Sequence, residues 1–301
     1  MNALKFSRKH LGIPYAVFLA VFVILPLLLI FYYAFTDANG SFTLTNFTEF
    51  FSGKTNLTVL LQSFCIAFLS TVICLLIGYP VAYLLARSNL KQKSVFLMLF
   101  VLPMWINFVL RTAAMKELLF LLGFYKTGEL SYLNTIIGMV YDYLPVTILP
   151  LYTVLLKLDK SVLEASADLG ARPATTFFKA TLPMSMPGII SAITMVFLPT
   201  TTSYVISDTL GNSKVIIIGK LIESKFNSGA ANAWNTGSAI ALILLILIFL
   251  IVKNIIPLSK FLKNIEKNYL QTNLELIFLN FINKECKKRD SMTNKKQMWM
   301  D

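Results

Sequence analysis

Long apolar runs alternate with short polar segments along most of this chain. Six of the runs come close to the roughly 20 residues that an α-helix needs to cross the hydrocarbon core of a bilayer. They cover residues 13–35, 57–86, 94–110, 132–156, 184–207 and 236–256. The pattern therefore predicts an all-α integral membrane protein with six transmembrane helices, held in a domain of residues 13–257.

The two ends of the chain differ from this domain. Residues 1–12 form a short basic segment, and residues 258–301 form a polar and basic tail. A cleaved signal peptide is the alternative for the first run, but that run is long, uncharged and not followed by a small-residue cleavage site. We expect an uncleaved first span, and a tail whose composition suits a disordered cytoplasmic extension.

Two of the runs contain signals for a break. Pro103 interrupts the third run, and residues 111–131 mix Lys116 and Glu117 with leucines, which is typical of an interfacial amphipathic segment. In the fifth run, Pro199 is followed by four hydroxyl residues. Hydroxyl groups can satisfy backbone carbonyls that a broken helix leaves free, so we predict a local break there.

The longest structured polar interruption is the loop of residues 158–183. Ser161 and Glu164 have the spacing of a capping box, which predicts a short helix beginning near residues 159–161. Gly170 is placed to end that helix, and Pro173 suits the first turn of a second one. The sequence Leu182-Pro183 should close the second helix. A helix–Gly–helix element at a membrane surface is suited to docking into a groove on a partner.

The distribution of basic residues predicts the orientation. With the N-terminus inside, the inner segments hold 20 of the 27 Lys and Arg residues and the outer segments hold seven. The positive-inside rule then places both termini and the 158–183 loop in the cytoplasm, with the chain crossing the membrane several times.

Composition limits the chemistry that the chain can perform. Hydrophobic residues make up 56% of the chain, charged residues 14%, and basic residues at membrane edges account for the net charge of +12, so no nucleic-acid partner is implied. The only histidine is His10, and Cys65, Cys74 and Cys286 have neither metal nor disulfide spacing. No phosphate-binding G-x-x-x-x-G-K-[ST] motif is present. We expect no enzyme activity, cofactor or metal on this chain.

The 158–183 loop resembles the coupling loop of the permeases of ABC importers. Its matches are Glu164, Ala165, Gly170, Leu182 and Pro183, at the family's spacing. Three positions depart from the pattern, with Ser166 in place of Ala, Ala180 in place of Ile, and Arg172 where a better N-cap such as Ser is expected before Pro173. The resemblance implies the type I permease fold and a loop that docks onto an ATPase dimer, which carries ATP and Mg. It places the coupling contacts at Glu164, Ala165, Ser166, Gly170, Ala171, Leu182 and Pro183.

Other segments resemble the spermidine/putrescine permeases within that family. They are residues 198–239, residues 138–152, residues 103–107 and the pair Arg111-Thr112. The likeness is greater to the first permease subunit of such systems than to the second. It implies a heterodimer with a second permease and an external polyamine-binding protein. Permeases for iron, thiosulfate or another small solute share much of the pattern and remain an alternative, as does, less favoured, a secondary transporter.

A passage for a polyamine should offer carboxylates, aromatic faces and hydrogen-bond acceptors. Asp142 is the only charge in the fourth run and has a tyrosine on either side. It is either a cargo ligand or a hydrogen-bond partner for another helix. Arg111 would repel a cation, so we expect it to anchor the chain at the membrane interface. The pathway candidates are Trp105, Asn107, Asp142, Tyr143, Thr202, Tyr204 and Asp208.

Overall fold

The computed structural model describes residues 12–89, 91–125, 130–168 and 170–254, and these residues are almost entirely helical. The predicted tail of residues 258–301 and residues 1–11 of the leader lie outside the described residues. Within the described ranges no β-strand forms beyond one isolated bridge between Thr36 and Phe42.

Twelve helices are numbered along the described ranges. The first half of the chain contains α1 (Gly12–Leu19, a π-helical turn Ala20–Ile24, and Leu25–Ala34), α2 (Thr45–Ser52), α3 (Lys54–Arg87), α4 (Lys93–Val101, with a 3₁₀ turn Leu102–Trp105), α5 (Phe108–Leu121) and α6 (Ser131–Lys157). The second half contains α7 (Lys160–Asp168), α8 (Pro173–Thr176, a π-helical turn Phe177–Thr181, and Leu182–Met184), α9 (Met186–Thr202), α10 (Tyr204–Leu210), α11 (Ile218–Asn227) and α12 (Ala233–Asn254).

Four of these helices are long and apolar enough to cross a membrane. They are α1, α3, α6 and α12. Two further crossings would each consist of a bent pair, with 94° between α4 and α5 and 62° between α8 and α9. The predicted count of six is reached if each bent pair is one span.

The third predicted span differs from the structure. Instead of one helix over residues 94–110 and an interfacial segment after it, the chain bends sharply at residues 106–107, and α5 then runs from Phe108 to Leu121. The Asn107 side chain causes the new start, because its oxygen accepts hydrogen bonds from the backbone N–H groups of Val109 and Leu110. By contrast, the fifth run breaks where Pro199 and its hydroxyl residues predicted, at Ser203.

The core of the chain lies where α3, α6 and α9 pack together. Its buried side chains include Tyr79 and Ala82 of α3, Ile148 and Leu151 of α6, and Ala192 of α9. Small residues on α3 and α9 let the larger side chains of α6 fill the space between the helices, as close packing requires. This bundle supports the 158–183 loop, since α6 leads into the loop and α9 follows it.

The first span stands apart from this core. None of the most apolar part of α1 is buried by the rest of the described chain. Within the described ranges, side-chain hydrogen bonds from other elements reach it at its last turn, where the Asn46 side chain donates to the carbonyls of Ala34 and, just beyond the helix, Thr36. The Asn235 side chain donates to the same Thr36 carbonyl at 2.7 Å and so ties α12 to this end of α1.

Candidate coupling surface and transport pathway

The first helix of the 158–183 loop begins with an aspartate cap. The backbone N–H of Ser161 donates to Asp159 Oδ1 at 3.0 Å, so Asp159 caps α7 where the capping box had assigned Ser161. The same hydrogen bond holds the pKa of the Asp159 carboxyl below its usual value. Glu164 is exposed and makes no hydrogen bond or ion pair with any described residue, so its carboxylate is left free for another molecule.

The end of α7 is a Schellman turn around Gly170. Gly170 has φ +76°, in the left-handed region that glycine enters without a Cβ clash. Its N–H donates to the Ala167 carbonyl at 2.8 Å, and the N–H of Ala171 donates to the Ser166 carbonyl at 3.1 Å. These two bonds define the motif and satisfy carbonyls that the helix end would leave free. The loop therefore consists of α7, the turn at Gly170 and α8.

The second half of the loop is fastened to the membrane helices. The ring of Phe177 packs edge-on against Tyr79, with centroids 5.7 Å apart, and against Tyr83 at 5.5 Å. Leu182 packs on the buried core. Ser185, at the bend before α9, shares a buried 2.8 Å hydrogen bond with the Tyr79 hydroxyl. The sequence motif did not point to Phe177 or Tyr79, since neither belongs to the matched positions.

The coupling residues therefore divide between two faces. Glu164 and Ala165 are exposed on α7, and Gly170 is exposed at the turn between the helices. Ser166 faces α8, where its hydroxyl contacts the Thr176 hydroxyl at 2.8 Å. The remaining predicted positions, Ala171, Leu182 and Pro183, are half-buried, and Leu182 packs on the buried core of the helical bundle. One face of the loop is thus exposed, and the other packs toward the helical bundle.

Asp142 is neither exposed nor a free carboxylate. It forms an ion pair with Arg111 of α5, with Nε and Oδ1 2.5 Å apart and side-chain exposures of 8% for Arg111 and 2% for Asp142. The Thr112 hydroxyl donates to the other carboxylate oxygen at 3.2 Å. The expectation that Arg111 anchors the chain at the interface is wrong, because its guanidinium is buried against α6 and lies over the Tyr141 ring.

The bend between α4 and α5 carries two more candidates. Trp105 is 84% exposed to the surroundings of the chain. The Asn107 oxygen is occupied in capping α5, which leaves its amide N–H groups for other contacts. At the base of this bend, Arg111 Nη1 donates to the carbonyl of Pro103 at 3.0 Å. We call residues 102–107 the elbow.

The second break lies between α9 and α10. The hydroxyls of Thr200, Thr201 and Thr202 all donate to backbone carbonyls of their own helix. Their hydroxyl hydrogens are therefore committed to the helix around Pro199, so these side chains can contact a ligand only as hydrogen-bond acceptors. The backbone of α11 approaches this break closely, since a Cβ added to Gly219 would lie 2.1 Å from the Thr202 carbonyl oxygen. Tyr143 of α6 reaches the break beside Ser203.

Beyond that break, charged groups surround one ammonium. Lys220 Nζ lies 3.1 Å from Glu223 Oε2, 3.5 Å from Asp208 Oδ2 and 5.6 Å from the centre of the Tyr204 ring. The bond to Glu223, with further support from Asp208, raises the pKa of Lys220. Asp208 and Tyr204 are thus already in contact with a cation of the same kind as a polyamine amine. Within the described ranges, no group of three or more His, Cys, Asp or Glu side chains could hold a metal ion.

The apolar helices, the two bent pairs and the surface loop fastened to the core define an integral-membrane permease. The family model described as "Binding-protein-dependent transport system inner membrane component" matches residues 75–258. The chain belongs to this family and is therefore an inner-membrane component of a transport system. The matched residues include the whole 158–183 loop and both helices of the second bent pair.

Relatives and solved structures agree with this placement. The chain is 37% identical to the spermidine/putrescine transport system permease protein PotB of Haemophilus influenzae, over 82% of this chain and 92% of the relative. It is 34% identical to the protein of the same name from Escherichia coli K12, over 76% and 89%. A solved structure of a bacterial ABC transporter involved in alginate import has a TM-score of 0.68 at 14% identity, covering 84% of this chain and 94% of the other, which shows a shared fold.

Proposed function

We propose that this chain is a permease subunit of an ATP-driven importer for polyamines, with spermidine and putrescine as the cargo class. The observation that carries the proposal is the 34–37% identity to permeases named for these two polyamines, extended over most of both chains. The structure adds a carboxylate, Asp208, and an aromatic face, Tyr204, that hold an ammonium in the described chain. Both groups are of the kind that recognises a polyamine.

In this proposal the 158–183 loop docks onto a separate ATPase dimer. The exposed face of α7, with Glu164 and Ala165, enters a groove of that partner. The other face passes movement to the bundle through Phe177 and the Tyr79–Ser185 hydrogen bond. ATP and Mg are bound by the ATPase, and the excess of basic residues on the same side supports a cytoplasmic location for the loop and both termini.

The passage for cargo is shared with a second permease in a heterodimer, and an external binding protein delivers the polyamine. On this chain the proposed cargo contacts are Trp105 and Asn107 at the elbow and Thr202, Tyr204 and Asp208 around the second break. Tyr143 lies beside that break. Asp142 takes part through Arg111 and not as an open ligand, because both partners are buried.

A permease for an inorganic anion would line its pathway with basic or hydroxyl side chains, and the hydroxyl run after Pro199 is the feature of this chain that favours such a cargo. The threonine hydroxyls of this run donate to their own helix, so their hydrogens are not available to an anion. A secondary transporter would need several buried acids for a proton relay. In the described parts of the membrane helices, the buried acid is Asp142, and Arg111 neutralises it.

Uptake of labelled spermidine tests the proposal. This chain would replace the first permease subunit in cells that supply a matching ATPase, second permease and binding protein. We expect uptake that putrescine competes with and that stops when the ATPase is inactivated. Assembly and ATP hydrolysis without movement of spermidine or putrescine would refute the cargo class, and parallel uptake of iron and thiosulfate would then identify the replacement.

A further inference from the structure

The buried ion pair Arg111–Asp142 links two elements that are distant in the chain. Arg111 belongs to α5, directly after the elbow, and Asp142 belongs to α6, which leads into the 158–183 loop. Apart from this pair, neither Arg111 Nε nor Asp142 Oδ1 has a hydrogen-bond partner among the described residues. Each charge therefore depends on the other to remain buried.

The same arginine completes the elbow. A helix break at membrane depth leaves backbone groups that hydrocarbon cannot satisfy. The Asn107 side chain accepts hydrogen bonds from the N–H groups at the start of α5, and Arg111 Nη1 donates to the Pro103 carbonyl at 3.0 Å. Asp142 then neutralises Arg111, and Thr112 donates to Asp142 at 3.2 Å. The elbow's shape thus depends on a carboxylate of α6.

We propose that Arg111 and Asp142 are positioning residues for transport. They fix the elbow, which carries Trp105, to α6. The turn that contacts the cargo therefore moves together with the helix that leads into the 158–183 loop. This inference rests on the proposed function. It differs from the direct reading of Asp142 as a cargo ligand, because here Asp142 acts through Arg111 and the Pro103 carbonyl and never meets the polyamine.

The two readings make opposite predictions for Arg111→Gln. If Asp142 were a cargo ligand, removing the arginine would free its carboxylate and lower the KM for spermidine. If the pair positions the elbow, Arg111→Gln leaves a buried carboxylate unpaired and should lower uptake per assembled complex by about tenfold. Asp142→Asn should do the same by leaving the guanidinium unpaired.

The double variant Arg111→Gln with Asp142→Asn is the decisive comparison. Two neutral amides can hydrogen-bond to each other and to the Pro103 carbonyl without a buried charge. We expect the double variant to recover most of the uptake that either single variant loses. Persistent loss in the double variant, equal to that of Asp142→Asn alone, would overturn the positioning role.

A second measurement follows the elbow directly and does not depend on the cargo. In a chain with its three cysteines replaced, Ile106→Cys reports the elbow, and Phe42→Cys reports an exposed position in the loop between α1 and α2, outside the helices that carry the pair. The readout is the rate of maleimide labelling in the assembled complex. We expect each single variant to change the rate at position 106 and not at position 42, and the double variant to restore it.

The outcomes separate the two proposals. If labelling behaves as expected but the wild-type complex moves no spermidine, the pair positions the elbow and the cargo class is wrong. If spermidine is transported and Arg111→Gln changes neither its uptake nor the labelling at position 106, the positioning proposal fails alone. Equal changes at positions 42 and 106 would indicate general loss of structure and would also overturn it.

Discussion

Replacing Gly170 by valine should weaken the coupling of ATP hydrolysis to transport. Gly170 has φ +76° and nothing lies within 4 Å of the position its Cβ would take, so backbone strain is the whole cost of a substitution. An L-residue pays roughly 1–2 kcal/mol in this region, and a β-branched residue is a particularly poor fit. That cost shifts the equilibrium between the closed and the open turn about 5–30-fold toward the open turn.

The assay is spermidine uptake and ATP hydrolysis, both measured on the complete complex in the same proteoliposomes. Gly170→Val should lower the number of spermidine molecules taken up per ATP hydrolysed by up to about 5–30-fold. Gly170→Ala should lower it less, and Gly170→Asn should lower it least, because asparagine enters the left-handed region more readily. Gly229→Val is the matched control, since Gly229 has φ +66°, equally open space and a place in another loop. A Gly170→Val complex that assembles and couples like wild type would refute the reasoning, as would an asparagine variant as impaired as the valine variant.

Three further predictions concern other contacts. Gly219→Ala should destabilise the assembled complex in thermal unfolding by about 1–3 kcal/mol, because its Cβ would overlap the Thr202 carbonyl. In an unobstructed helix the same substitution stabilises by about 0.5–1 kcal/mol, so an unchanged or raised melting temperature would contradict the overlap. Tyr79→Phe should cost about 1 kcal/mol, since it removes the hydrogen bond to Ser185 but keeps the ring, and unfolding by denaturant in detergent would measure it. The pKa of Asp159 is lowered in the folded chain, so the stabilising effect of its cap is fully present above the unfolded-state pKa and is lost as the pH falls through the folded-state pKa. Hydrogen exchange of the loop at pH 7 should show less helix in Asp159→Ala and unchanged helix in Asp159→Asn.

The local signals in the 158–183 loop could be predicted because they act within a few residues. Gly170 and Pro173 impose backbone conformations of their own, so the turn and the second helix start followed from residue type alone. The first cap could not be assigned from residue type, because Asp159 and Ser161 are both good caps two residues apart. The structure selects Asp159. Only an observed hydrogen bond distinguishes the two.

The burial of Arg111 could not be predicted in the same way. Its partner, Asp142, lies 31 residues further along the chain, and the contact forms only because α5 folds back against α6 after the 94° bend. Burying a single charge in a membrane has a high free-energy cost, which pairing with an opposite charge lowers. The pattern of hydrophobic and polar residues does not show which charged residues will pair. In the sequence, Pro103 was the signal for a break in the third run. The residue that caps the start of α5 is Asn107, which the sequence did not mark as a helix start.

The loose attachment of α1 has a consequence for how substitutions in it should be read. None of its most apolar segment is buried by the described part of the chain, so exchanging one large apolar residue for another, as in Leu28→Phe, removes no packing against those residues. Tolerance along α1 therefore reports on its neighbours. A helix surrounded by lipid should accept such exchanges evenly, whereas one that lies against another protein should resist them with a period of about 3.6 residues. A substitution scan of a segment that hardly contributes to the core would thus map the assembly around it.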